Sequence, residues 1–298
     1  MCSSLSISTF SSCSYSNHRL LSPFFYPFCR FRKPIAVSSS EGEAVSILLS
    51  TTTSFTSSVF LFTQRHLLLK RMKSYTTAAT AFNQSLISQL QNHGVLSSST
   101  VAEVMTTVDR GLFVPRGNPP YMDTPVPIGY NATISAPHMH AMCLELLKDH
   151  LQPGMRALDI GSGTGYLTAC FAMMVGSQGR VVGVEHIPEL VTSSIVNIKK
   201  SAAMELLAAG TLSMHVSDGR LGWPEEAPYD AIHVGAAAPE IPQALINQLK
   251  PGGRLVIPVG KFSQELQVID KMLDGSVSIR SETSVRYVPL TGREAQLN

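Results

Sequence analysis

Three acidic side chains stand in this sequence where they could hold a small ligand. Asp159 precedes a glycine-rich run, Gly161-Ser162-Gly163-Thr164-Gly165, which follows a short apolar stretch. Glu185 ends the next apolar stretch, roughly 20 residues past the glycines, and Asp218 follows a third one. Glycines have no Cβ, so the backbone can approach a ligand closely. The pattern predicts a strand, a tight turn and a helix that bind a nucleotide-like ligand on an open α/β sheet.

The spacing and the charges discriminate between possible ligands. A dinucleotide fingerprint has the pattern G-x-G-x-x-G, whereas the third glycine here comes one residue early. A carboxylate at Asp159 would repel a pyrophosphate but could face an ammonium group, while Glu185 suits the two hydroxyls of a ribose. Asp218 could accept a hydrogen bond from an adenine amino group. Together these residues predict S-adenosylmethionine as the cofactor; the alternative is that Asp159 and Asp218 only cap turns.

Strand and helix patterns alternate from about residue 155 onward and would position these acids. Strands are predicted at 156–160, 180–184, 212–216, 230–234, 254–259, 264–270 and 276–288. Helices are predicted at 166–175, 188–207 and 240–249. The last two strands follow each other without a helix and should form an antiparallel hairpin around Asp274-Gly275. The sequence therefore predicts an α/β fold with a doubly wound, mostly parallel seven-stranded sheet covered on both faces.

Three further helices are predicted upstream, and the third carries a serine of interest. The first covers Asn83 to His93, and the second runs from the capping residues near Ser99 to Val108. A proline-rich loop separates them from a third helix over about 135–150. Ser135 is a favourable N-cap for that helix and Pro137 fits its first turn.

Residues 1–80 differ in composition from the rest of the chain. They contain two acids, Glu41 and Glu43, against eight Lys and Arg residues. A Ser-rich, acid-poor leader of this kind resembles an organelle transit peptide. The segment Ala44 to Thr63 is uncharged, but half of it is Ser or Thr, so a membrane span is the weaker interpretation. We therefore expect a leader at 1–80 and one globular domain at 81–298.

Several segments together resemble the protein-L-isoaspartate (D-aspartate) O-methyltransferase family. They are Met122-Asp-Thr-Pro125, Ala132-Thr-Ile-Ser-Ala-Pro-His-Met-His140, Leu158-Asp-Ile-Gly-Ser-Gly163, Asp218-Gly-Arg220, Ala227-Pro-Tyr-Asp-Ala-Ile-His-Val-Gly-Ala-Ala-Ala238 and Tyr287-Val-Pro-Leu-Thr291. The resemblance covers about 82–291, nearly all of the predicted globular part. Many methyltransferases share the glycine loop, whereas the segments 132–140 and 233–238 are far more particular.

The resemblance implies the Rossmann-like fold of S-adenosylmethionine-dependent methyltransferases and a role in repair. Members methylate the free carboxylate of L-isoaspartyl and D-aspartyl residues in damaged proteins, and the ester then collapses to a succinimide. Ser135 matches the active-site serine. The positions that match cofactor contacts are Ala132, Thr133, Ile134, Ser135, His140, Asp159, Glu185, Asp218, Gly219 and Thr291, and the glycine loop adds Gly161. The short end after Thr291 departs from the family and could alter closure over the substrate.

The leader makes the chain look like a plant form of this family. We expect the long form in the chloroplast and a form that starts at Met72 in the cytoplasm or nucleus. The expected partners are proteins and peptides that contain isoaspartyl residues, without nucleic acid or stable membrane association. The expected oligomeric state is a monomer.

In the expected reaction, Ser135 positions the substrate and does not act as a base or a nucleophile. A carboxylate has a reference pKa near 4, so it is already a nucleophile at pH 7 and needs no general base. Positioning should supply most of the catalysis. Ser135 would then donate a hydrogen bond that aims the substrate carboxylate, and the alternative is that it only caps its helix.

Metal chemistry and other activities are weaker interpretations of the sequence. His138 and His140 are two residues apart, which places their rings on different faces of a helix, and no third ligand is evident. His233 lies in an apolar strand and is expected to be a satisfied core histidine. Alternatives to the family activity are a methyltransferase for RNA or a small metabolite, a nicotinamide-dependent oxidoreductase and an inactive cofactor-binding regulator. The net charge of +2 gives no sign of a polyanionic partner.

Overall fold

The computed structural model describes residues 78–297. The predicted leader lies outside the described residues except for its last three, which are helical. The predicted start at Met72 and the segment Ala44–Thr63 also lie outside them. Among the described residues, no helix is both long enough and apolar enough to cross a membrane.

The described residues form helices, nine strands and short 3₁₀ turns. The helices are α1 (78–92), α2 (Ser99–Thr107), α3 (Pro137–Leu147), α4 (Tyr166–Val175), α5 (Pro188–Ile198), α6 (Met204–Ala208), α7 (Gln243–Gln248) and α8 (Arg293–Leu297). The strands are β1 (Val126–Gly129), β2 (Ala132–Ile134), β3 (Arg156–Ile160), β4 (Arg180–Glu185), β5 (Leu212–Val216), β6 (Tyr229–Val234), β7 (Leu249–Val259), β8 (Gln264–Lys271) and β9 (Val277–Val285).

The central sheet has seven strands in the order β5-β4-β3-β6-β7-β8-β9. The first five of these run parallel, and β8 and β9 add an antiparallel hairpin at one edge. The predicted doubly wound, mostly parallel seven-stranded sheet is therefore confirmed. Alternating side chains of the central strand β3 enter two apolar cores, with Ala157 in one and Leu158 and Ile160 in the other.

The segment before α3 differs from its prediction. Residues 132–134 form β2, which pairs with β1 in a hairpin whose turn residues, Tyr130 and Asn131, both have φ of 54°. The N-cap of α3 is Ala136, which makes no side-chain capping bond, and Pro137 is in the first turn as predicted. Ser135 as the N-cap is therefore wrong: it stands one residue too early, in the chain that leaves the hairpin.

Several element boundaries also differ: α1 starts at 78 rather than 83, α3 ends at Leu147 rather than 150, and α7 starts at Gln243 rather than 240. Three larger differences concern the helix predicted at 188–207 and strands β7 and β9. The predicted helix at 188–207 is two helices, because Ser201 bonds the carbonyl of Ile198 and the amide of Ala203 with its own hydroxyl. Strand β7 begins at Leu249 rather than 254, with an irregular register opposite Tyr229. Strand β9 ends at Val285 rather than 288, since its partner β8 begins opposite that residue.

Candidate active site

The three predicted acids lie at one edge of the sheet. Asp159 is the second-last residue of β3, Glu185 ends β4, and Asp218 follows β5 by two residues. These strands are parallel neighbours, so their carboxyl ends meet at the same edge. This is where ligands bind in open α/β sheets.

Asp159 is buried and held by two side chains. Strands β3 and β6 pair with Asp159 opposite His233, so the two side chains share a face of the sheet. The Asp159 Oδ1 and the His233 Nδ1 are 2.8 Å apart, and Thr168 donates to Oδ2 over 2.5 Å. Burial alone would lower the pKa of His233, but Cys143 and Asp159 raise it to about 10. His233 is thus buried and satisfied, as expected of a core histidine, but its partner is the acid of the site.

Glu185 is held rigidly against the glycine loop. It is 6% exposed, and its two oxygens accept from the backbone amides of Gly163 and Ile187, each over 3.1 Å. The loop can pass this close because Gly163 and its neighbours Gly161 and Gly165 all have positive φ. The arrangement fixes the direction of a carboxylate that borders a cavity.

Asp218 behaves differently from the other two acids. It caps a 3₁₀ turn by accepting from the Arg220 amide, and it forms a close ion pair with the Arg220 side chain. Hydrogen bonds from Arg220 lower the pKa of Asp218. Its neighbour Gly219 borders the cavity, whereas Asp218 is not among the lining residues. The turn-capping alternative therefore describes Asp218 in this structure, and its contact with an adenine stays a prediction.

Three adjoining cavities connect the predicted residues, and Thr133 and Gly235 line all three. The first cavity is bordered by the predicted residues Ala132, Thr133, Gly161, Glu185, Gly219 and Thr291. The third is bordered by Thr133, Ile134, Ser135, His140, Asp159 and Gly161. The second is an open groove of about 650 Å³ that contains Ser135. The structure thus brings all the predicted site residues except Asp218 to one continuous cleft.

Ser135 stands at the junction of two cavities. It lines both the third cavity, with Asp159, and the open groove. Its side chain lies beside the Tyr287 hydroxyl, close enough to act on the pKa of that group. Burial raises the pKa of Tyr287 well above its usual value, so the phenol stays protonated at neutral pH. Ser135 is therefore free of helix capping, and it borders the cleft beside a protonated phenol.

The third cavity fits the amino acid end of S-adenosylmethionine. Two residues of the glycine loop, Ser162 and Thr164, line it, and their hydroxyl oxygens are buried without a hydrogen-bond partner among the described residues. Buried polar atoms are normally paired, which points to a polar ligand here. The first cavity offers the ribose and adenine a carboxylate, Glu185, and the close backbone of Gly161 and Gly219.

Two residues, one lining the cleft and one buried behind it, were not predicted from the sequence. Gln296 of α8 lines the first cavity, and its side chain reaches His186 Nε2 at 2.8 Å and the Tyr130 carbonyl at 2.9 Å. Arg110 lies behind Ser135 and His140. No periodicity or motif singles out either residue, because both act through contacts distant in sequence.

The sheet topology, the glycine loop with its strand-end acids, and a groove beside them are those of a methyltransferase that uses S-adenosylmethionine. The model of the family "Protein-L-isoaspartate(D-aspartate) O-methyltransferase" matches residues 81–295. The chain therefore belongs to the protein-L-isoaspartate (D-aspartate) O-methyltransferase family.

Individual relatives agree with this assignment. A protein-L-isoaspartate O-methyltransferase of Triticum aestivum is 70% identical over 215 residues, covering 72% of this chain and 94% of that one. Protein-L-isoaspartate O-methyltransferase 2 of Arabidopsis thaliana is 68% identical over 214 residues, covering 72% and 69%. A Plasmodium falciparum structure of this kind, in complex with S-adenosyl-L-homocysteine, is 37% identical with a TM-score of 0.66, covering 70% and 98%.

Proposed function

We propose that this protein methylates the free carboxylate of L-isoaspartyl and D-aspartyl residues in damaged proteins, using S-adenosylmethionine, and so initiates repair through a succinimide. Membership in the family and the high identity to the plant relatives support this activity over methylation of RNA or a small metabolite. The observation that carries the proposal is the position of Ser135. It borders both the cavity of the cofactor's amino acid end and the open groove, where cofactor and substrate would meet.

The chemistry asks for orientation rather than proton transfer. S-adenosylmethionine, when bound, supplies a methyl group on a positively charged sulfur. The substrate carboxylate is ionised at neutral pH, since its reference pKa is near 4, so no residue has to remove a proton. Ser135 donates a hydrogen bond that orients this carboxylate, and the Tyr287 hydroxyl lies beside the Ser135 side chain. Asp159 and Glu185 hold the ammonium and ribose groups of the cofactor.

The groove suits a segment of polypeptide chain. One wall is formed by Ser135 and by His138 and Met139 of the first turn of α3, and the other is the segment 284–288. Gln264 holds that segment from behind: its side chain accepts from the Tyr287 amide over 2.7 Å and donates to the Tyr287 carbonyl over 3.2 Å. A groove with one firmly held wall can accept peptides of different sequence.

Methyl transfer to matched peptides tests the activity. One peptide carries a single L-isoaspartyl residue, and its control carries aspartyl at the same position. We expect radioactive methyl incorporation from S-adenosylmethionine into the isoaspartyl peptide and none into the control. Equal labelling of both peptides, or labelling of RNA alone, would overturn the proposal.

The proposal also covers the location of the protein and its oligomeric state. The Ser-rich composition of residues 1–80 supports a chloroplast location for the long form, and a form starting at Met72 would be cytoplasmic or nuclear. A fusion of residues 1–75 to a fluorescent reporter should enter plastids, and a diffuse or reticular signal would contradict this. A protein that starts at Met72 should methylate as well as the full chain and elute as a monomer.

A further inference from the structure

Arg110 is a buried cation behind the site. It opens a 3₁₀ turn after α2 and is 1% exposed. Its Nε donates to the Pro120 carbonyl over 3.0 Å and its Nη2 donates to the Ser135 carbonyl over 2.8 Å. Its Nη1 is 3.1 Å from the Nδ1 of His140, and its guanidinium carbon is 5.7 Å from the centre of the Tyr166 ring.

The partners of Arg110 are polar, but none is an anion. The neighbouring Asp109 carboxylate instead accepts from the Gly111 amide and the Tyr121 hydroxyl. Asp123, the other acid near enough to act on Arg110, is paired with His138. Burial lowers the pKa of Arg110 to about 10, so it remains charged at neutral pH. A charge removed from water normally has a counter-ion, and no acid of the described residues lies within 4.0 Å of this one.

Arg110 also determines which nitrogen of His140 carries the proton. Arginine has only donors, so the His140 Nδ1 must accept. Burial and the Arg110 charge lower the pKa of His140 well below its usual value, so the ring is neutral. Its proton is then on Nε2. The ring lines the third cavity, together with Asp159, and offers that donor there.

We propose that Arg110 is the positioning residue for the carboxylate of the cofactor's amino acid end. It provides the buried positive charge for that carboxylate and fixes His140 as an Nε2–H donor. The other charged pair of this cavity, Asp159 with His233, is left for the ammonium group. Because Arg110 also holds the Ser135 carbonyl, the same guanidinium aligns the cofactor's end with the active-site serine. The inference rests on the proposed use of S-adenosylmethionine.

Calorimetry with two ligands tests this role without any peptide substrate. The ligands are S-adenosylhomocysteine and S-adenosyl-3-thiopropylamine, which lacks only the carboxylate. Arg110→Gln should weaken S-adenosylhomocysteine binding about 10- to 30-fold, as for loss of a charged hydrogen-bonding partner, and change binding of the other ligand less than about twofold. Arg110→Lys should restore part of the difference. The matched control, Arg254→Gln, removes another arginine that donates to a carbonyl of α3 and should change neither affinity.

Nitrogen NMR on the wild-type protein without ligand gives a readout that does not depend on a variant folding. His140 should show the Nε2–H tautomer and stay neutral at acidic pH values where an ordinary imidazole is protonated, because burial and Arg110 lower its pKa. Wild type should bind S-adenosylhomocysteine more tightly than its decarboxylated analogue. An Nδ1–H tautomer, equal wild-type affinities, or equal losses for both ligands in Arg110→Gln would each overturn the proposal. Ligand discrimination without methylation of isoaspartyl peptide would refute the proposed function and leave this inference standing.

Discussion

The cofactor side and the substrate side of the cleft are built in different ways. On the cofactor side, Asp159 and Glu185 are almost fully buried and each oxygen is bonded to a neighbouring group. On the substrate side, Ser284 and Arg286 are exposed and the groove is open. A small charged molecule of fixed shape needs prearranged partners, whereas damaged sites occur in many sequence contexts. Selectivity for the cofactor therefore depends on buried charges, and the open groove allows substrates of different sequence.

The largest expected effect comes from breaking the buried pair on the cofactor side. Asp159→Ala leaves the His233 cation without its partner, which should lower the free energy of unfolding by about 3–5 kcal/mol. Urea denaturation measures this. The double variant Asp159→Ala with His233→Phe should lose less than the two single variants together. Strict additivity would mean that the pair does not act as a unit.

The pH dependence of stability tests the same buried pair of Asp159 and His233. The pKa of His233 is about 10 in the folded protein, above the value of about 6.5 expected in the unfolded chain. Protonated His233 therefore stabilises the fold fully below about pH 6.5, and this contribution is lost as the pH rises toward 10. Arg110 and His140 also lie near this pair, and the pKa of His233 is raised in their presence. The free energy of unfolding, measured from pH 6 to 10, should decline more steeply for wild type than for His233→Asn.

An intermediate effect is expected at the ribose position. Glu185→Ala removes a charged acceptor and should weaken S-adenosylmethionine binding by about 1.5–3 kcal/mol. Glu185→Gln keeps an acceptor for the Gly163 or Ile187 amide and should be closer to wild type in stability. Calorimetry on folded variants measures the affinity for S-adenosylmethionine. An unchanged affinity in Glu185→Ala would show that this residue does not bind the cofactor.

Substitution of Ser135 distinguishes a catalytic role from a structural one. Ser135→Ala should slow methylation of an isoaspartyl peptide about tenfold or more, since one hydrogen bond to a charged group is lost. Because Ala136 and not Ser135 is the N-cap of α3, unfolding free energy should change by less than about 0.5 kcal/mol. Turnover and thermal melts are measured on the same sample. A destabilised variant with full turnover would refute the catalytic role.

The smallest effect is expected on the substrate side. Gln264→Ala removes both bonds that hold the Tyr287 backbone, which should raise the KM for peptide two- to fivefold, on the order of 1 kcal/mol. The affinity for S-adenosylmethionine should not change. Gln243→Ala, which loses only a surface bond to Asn247, is the control. A weakened cofactor affinity in Gln264→Ala would show that the two sides of the cleft are not independent.

Periodicity was a good guide where the chain is buried and regular. Strands β3, β4 and β5 and helix α4 agree with the predictions to within a residue, because long apolar runs between glycine turns allow few alternatives. It failed where a side chain overrides the backbone pattern. Ser201 ends α5 with its own hydroxyl, and the short hairpin of β1 and β2 has turn residues that carry no glycine signal of their own.

The parallel sheet, the cofactor class and the acids at the strand ends follow from the residues alone, since they depend on local pattern and on the rule that parallel strands end at one edge. The use of those acids depends on how the chain folds. Asp159 is paired with His233, Asp218 is paired with Arg220, and Ser135 lies outside its helix. Arg110 is buried behind the cleft, and Gln296 lines it. The contacts of Asp159, Arg110 and Gln296 join residues far apart in the chain, and burial makes the charges of Asp159 and Arg110 depend on their partners. The pair of Asp218 and Arg220 is local, but the residue types alone did not show which of the two possible roles Asp218 takes.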